Sequence, residues 1–212
     1  DPGNSLDGSA VPTPVGGSHD DFKLSIDFDV KNGGWGSFSN DDTAKRIEIQ
    51  LPPYLLGNPN AATKCSAASF DGNSCPGDSY IGFTHINARI RIPVLTGGFW
   101  PGVSVNGGIY NLEPEGSDLA TFGTHFTYLG MDINMRAHVH VDPQDQHRIV
   151  TTLDPVPNTT PASWLLLDHI DMVLYGMHGS QPFLTFPTRC DAWADTWVAS
   201  EAYNGTVDSR SS

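Results

Sequence analysis

The residues best equipped for chemistry form one run, His138-Val139-His140-Val141-Asp142. On an extended chain their polar side chains leave one face about 7 Å apart, a spacing at which two or three can share a metal ion. With His169 or His178 downstream, the set imitates the His-x-Asp…His triad that holds non-haem iron. The same face continues through Arg136, whose fixed positive charge repels a cation. A solvated polar strand face is therefore the simpler reading of the run.

Other chemistries are less well supplied. A glycoside hydrolase needs two facing carboxylates, and Glu48, Glu113, Glu115 and Glu201 stand in no recognisable pattern. No Gly-x-Ser-x-Gly segment announces a serine nucleophile. His85 and His125 have nothing that ties them to each other. The expectation is a protein with no catalytic set and no cofactor. Ca²⁺ on loop carboxylates, or a transition metal at His138, His140 and Asp142, is the alternative.

Aromatic side chains offer a different function. Trp35 in a glycine-rich loop, and Phe99 and Trp100 after Gly97-Gly98, resemble platforms on which sugar rings stack. The same placement suits a protein partner, and core packing of a loop tryptophan is commoner than either.

Cys65 and Cys75 enclose nine small and turn-forming residues. Such a loop can bring its ends within the roughly 5.5 Å Cα separation that a disulfide requires. Two reduced buried thiols are the alternative, but a Gly/Asn-rich loop supplies no core to bury them, so the disulfide is preferred. Without a Cys-x-x-Cys pair, metal binding is disfavoured. Cys190 is left over, either buried and inert or bonded to another chain.

The elements that must position these residues follow from periodicity. Phe22, Leu24, Ile26, Phe28 and Val30 alternate with polar residues, which marks a half-buried strand. Segments 46–51, 122–129, 131–141, 148–153 and 196–203 read likewise. Segment 80–94 changes phase, and the change predicts a bulge near His85-Ile86. Asn106-Gly107-Gly108 reads as a hairpin turn. Segment 165–177 fits helix or strand, with strand favoured by its surroundings. Eight to ten short strands without intervening helices predict an all-β fold, specifically a two-sheet antiparallel β-sandwich of jelly-roll or Ig-like type.

Residues 1–21 carry no apolar periodicity and read as an extended N-terminal arm, either frayed or bridging to a neighbouring subunit through Val11, Pro12, Pro14 and Val15. The sandwich occupies 22–203 and a polar tail 204–212. With 24 acidic against 11 basic residues, a net charge of -13 disfavours nucleic acid and anionic membrane as partners. No apolar run reaches the roughly 20 residues of a membrane-spanning helix. A chain opening at Asp1 suits a mature secreted protein, or a boundary imposed on a longer one. The sequons at Asn158 and Asn204 are short enough to arise by chance.

Leu51-Pro52-Pro53, Leu56-Gly57-Asn58-Pro59, Cys65, Cys75-Pro76, Ser79 and Gly82 together resemble the motif of large secreted proteins of actinobacteria. Tyr110-Asn111-Leu112 with Pro114, Ala120 with Phe122-Gly123, Leu174 with Gly176, and Pro182-Phe183-Leu184-Thr185 with Pro187-Thr188 and Cys190 extend the resemblance over most of 19–203. Tyr54 stands where that family tends to have Gly, and Phe186 where it tends to have Asn. Longer relatives carry a further cysteine segment after the position like Cys190. The resemblance implies a secreted or surface-exposed β domain of no established activity, with Cys190 unpaired or available to another chain.

The resulting expectation is a secreted or cell-surface, non-enzymatic structural protein that self-associates as a homo-oligomer, filament or layer. A glycan-binding or adhesive module is the alternative, and a metal-dependent enzyme the third reading.

Overall fold

The structure is a computed structural model that describes residues 17–28, 43–91, 100–128, 130–160, 163–188 and 195–211. Val11, Pro12, Pro14, Val15, Trp35, Phe99 and Cys190 lie outside the described residues, and of Trp100 only the backbone is described.

The chain is all-β, as its alternation predicts. The strands are β1 (Phe22–Asp27), β2 (Ala44–Gln50), β3 (Leu56–Gly57), β4 (Tyr80–Arg91), β5 (Trp100–Leu112), β6 (Ala120–Tyr128), β7 (Met131–Asp142) and β8 (Arg148–Leu153). There follow β9 (Thr159–Thr160), β10 (Ser163–Leu174), β11 (Met177–His178), β12 (Gln181–Pro182), β13 (Leu184–Thr185), β14 (Trp197–Ala202) and β15 (Val207–Ser211). Segment 165–177 is thus mainly strand. Residues 207–211, expected in the polar tail, pair with β14 instead.

The two-sheet sandwich is corrected. One antiparallel sheet runs in the order β1-β10-β4-β5-β6-β7-β8-β2-β14-β15, with β9 on β10, and curls into a half-barrel. Phe22, Leu24 and Ile26 of β1 share one core cluster with Ile47 and Ile49 of β2 and Val198 of β14, although these strands stand near opposite ends of the order. The curl gathers the inward faces of both ends of the sheet into this one core. Alternation dictates which side chains turn inward. It does not dictate whether a second sheet or the curl of the first covers them, and that is why the sequence reading named the commoner solution.

Two further expectations are corrected. In β4 the register breaks between Tyr80 and Gly82 and again between Ala88 and Ile90, while residues 84–86 pair regularly. Phe83 is exposed rather than sharing an inward face with Ile81. Asn106-Gly107-Gly108 is no turn but the middle of β5. A Cβ on Gly107 would come 2.8 Å from the His125 carbonyl oxygen, and one on Gly108 2.9 Å from the Tyr110 ring. These glycines make room for neighbours instead of reversing the chain.

The Cys65–Cys75 disulfide is formed, with Cα atoms 5.4 Å apart. Its loop holds a short helix that periodicity did not reveal, α1 (Ala67–Asp71), capped by the Ser66 hydroxyl, which accepts from the Ser69 N–H at 3.2 Å. Phe70 from α1 plugs the convex face of the sheet against Leu112 and Cys65. A Cβ on Gly123 would lie 2.5 Å from that ring, so glycine is required beneath it. Arg136 closes the plug from outside, 5.5 Å above the Phe70 ring centre and paired with Asp71 and Glu115.

Candidate functional site

The inward residues of the central strands do not fill the half-barrel. Phe122 and Ala120 of β6, Ala137 and Val139 of β7 and Ile149 and Leu153 of β8 border a cavity of about 360 Å³. Its floor is Ile109, Met172 and Leu174. Two small residues, Ala120 and Ala137, stand where larger side chains would occupy the space.

The fourth side is a strap built from distant parts of the chain. Leu56 and Gly57 of β3 pair with Thr185 and Leu184 of β13. Asn58 N–H then donates to the Phe183 carbonyl at 2.8 Å. Leu55, Phe183 and Leu184 point into the core and line the cavity. Buried Asn111 anchors the segment after the strap, its amide donating to the Pro59 and Ala62 carbonyls at 2.9 and 3.1 Å. Residues 17–19 brace the other strand, because Gly17 N–H donates to the Phe186 carbonyl and Phe186 N–H to the Ser18 carbonyl. Two stretches far apart in sequence, 51–59 and 182–188, thus meet here.

The rim differs from the interior. Leu56 and Leu119 line the cavity yet are 64% and 56% exposed. Exposed Asn58 and His147 line it as well, whereas Ile49, Leu51, Ile109 and Val139 are buried. Polarity therefore falls from mouth to floor, with the half-buried Thr124 and Thr151 the polar side chains of the inner wall. A volume in the few-hundred Å³ range with aliphatic walls and few polar groups is typical of small-molecule sites.

The residues proposed for metal chemistry do not converge. His138 Nδ1 lies 2.6 Å from Asp118 Oδ2, His140 is exposed, and Asp142 accepts the Gln144 N–H at 2.8 Å. Among the described residues no three His, Cys, Asp or Glu side chains group as metal ligands. Of the carboxylates considered for glycoside chemistry, Glu48 pairs with Arg46, Glu115 with Arg136 and Glu201 with Lys45. His85 and His125 each bond an asparagine, Asn106 and Asn134 respectively.

The convex face instead carries a polar lattice. His169 on β10 touches Asp27 of β1 through Nδ1 at 2.6 Å and Asp171 through Nε2 at 3.0 Å. Burial works against the charge on His169, but hydrogen bonds to Asp171 and Asp27 outweigh it and hold its pKa above the ordinary value. Burial likewise opposes ionisation of Asp171, and bonds from His169 and Ser25 overcome that and lower its pKa. Further along, burial and a hydrogen bond with Tyr175 push the Tyr80 hydroxyl up to about 12.

The sequence reading marked the inward faces of β1 and β7 correctly and still missed the cavity. Its signal was present in the apolar Leu56 and Leu119 within turn-rich segments, where exposed leucines ask for a reason. Comparison with family models, curated proteins and solved structures returns no match, so the site is read from its geometry.

Proposed function

We propose that the chain is a secreted or cell-surface, non-enzymatic protein that binds a small apolar molecule inside its half-barrel. The observation that carries the reading is the aliphatic cavity of about 360 Å³ with an exposed leucine rim. An engineered apolar cavity of about 150 Å³ stays dry and takes up benzene, and this one is more than twice that size. Leaving it empty forfeits dispersion contacts along every wall, which an apolar guest restores. The disulfide supports an oxidising compartment.

The test is saturation binding of a neutral naphthylamine fluorophore to the native protein, repeated with Ala137→Phe to occupy the cavity. Saturable one-site binding that the substitution abolishes supports the reading. Binding that Ala137→Phe leaves intact refutes it.

A second reading, self-association into a filament or layer, has its own support. Among the described residues β1 and β15 each pair on one side only, and such edges are templates for another copy's strand. Light scattering across a hundredfold concentration range tests it. Growth in mass with concentration supports assembly, and a constant monomer mass removes it.

A further inference from the structure

Building on that binding reading, we infer that the ligand is a single-chain amphiphile that enters tail first, its hydrocarbon end among Ile109, Phe122 and Leu174 and its hydrogen-bonding head at His147.

The argument starts from the distribution of polar atoms. A site for a wholly apolar guest has no use for a polar collar, and a site for a polar guest places hydrogen-bonding groups within. Here the imidazole of His147 and the amide of Asn58 stand at the mouth, where both are exposed. The floor and the buried walls are aliphatic or aromatic. A head group left at the mouth keeps its hydrogen bonds to water and protein, while each tail methylene moved inside gains about 0.8 kcal/mol. The reverse orientation strips the head of water without returning partners.

The rim is shaped for this entry. His147 holds a left-handed backbone at φ 56°, next to Gln146 at 50°, in the turn between β7 and β8. His147 is exposed there and lines the cavity. Leu56 and Leu119 form the apolar part of the collar. Hydrocarbon beyond the cavity's depth thus meets leucine before it meets water. Asn58 is tied to its own turn, accepting from Asn60 N–H at 3.2 Å, which leaves His147 as the more adaptable partner for a head group.

The experiment is isothermal titration of the full chain with three probes of six carbons each: 1-hexanol, hexanoate and cyclohexane. Each is repeated on His147→Ala and on His147→Asn, which keeps a hydrogen-bonding group and tolerates the left-handed backbone. The expected result is that hexanol or hexanoate binds tighter than cyclohexane. His147→Ala then weakens the tighter amphiphile about five- to tenfold, the worth of one hydrogen bond, and leaves cyclohexane unchanged. His147→Asn recovers most of the loss. If cyclohexane binds as well as both amphiphiles, or His147→Ala affects all three equally, the amphiphile assignment is overturned and apolar binding stands. If no probe saturates a single site, both fall together.

Discussion

At Tyr54 the backbone adopts φ 64°, in a turn closed by the Leu55 N–H donating to the Pro52 carbonyl at 3.3 Å. With Pro53 preceding it, Tyr54 holds the third position of a turn that wants glycine, since an L side chain there crowds its own carbonyl. Tyr54→Gly is expected to raise stability by roughly 1 kcal/mol, net of the extra freedom glycine gives the unfolded chain. Urea unfolding of the two proteins measures it, and a lower midpoint for the variant contradicts it. Phe70 carries a larger share. Phe70→Ala removes the buried plug under Arg136 and should cost about 3–5 kcal/mol, read by the same titration. Neither residue could be ranked from sequence. Phe70 sits in a turn-rich loop with no periodicity, and its burial depends on a glycine 53 positions later.

Elements were legible where one face is wet and the other greasy. β2, β7 and β14 follow their alternation to within a residue or two, β1 begins where its alternation begins, and the loop between Cys65 and Cys75 closes as its length predicts. Replacing both cysteines with serine should cost about 2–3 kcal/mol, mostly by freeing the unfolded chain, and reductant should shift the native protein to the same midpoint. What alternation could not supply were β3 and β13, two residues each, because their ladder joins positions about 130 apart and has no local signature. Electrostatics acts at this scale too, where His169 on β10 meets Asp27 of the edge strand β1 and Asp171 of its own strand. The raised pKa of His169 means its stabilising contribution is complete below about pH 6.5 and is lost as pH climbs through the raised folded value. The lowered pKa of Asp171 means its contribution is complete above about pH 3.9 and is lost as pH falls through the lowered value. The stability difference between the native protein and His169→Asn should therefore be greatest between roughly pH 4 and 6.5 and shrink at higher pH. A difference that grows above pH 7 contradicts that assignment.

For the whole molecule, the decisive feature is curvature. The curl of the sheet leaves space at Ala120 and Ala137, and the β3–β13 strap borders it. The strap is held by Asn111 on one side and by residues 17–19 on the other, so the cavity is a product of contacts between remote parts of the chain. That is why a sequence reading that recovered most strands looked for a site among loop aromatics and histidines instead. A ligand that occupies the folded cavity and not the unfolded chain must stabilise the fold by mass action, about 2.7 kcal/mol at a hundredfold excess over its Kd. The most direct measurement is the thermal midpoint of the native protein against 1-octanol concentration, with Ala137→Phe as the filled-cavity control. A rise that grows with the logarithm of octanol concentration above its Kd and reaches roughly 5–10 °C at a hundredfold excess in the native protein, absent from the filled variant, is the predicted result. A midpoint that octanol leaves unchanged or lowers in both proteins would contradict the account.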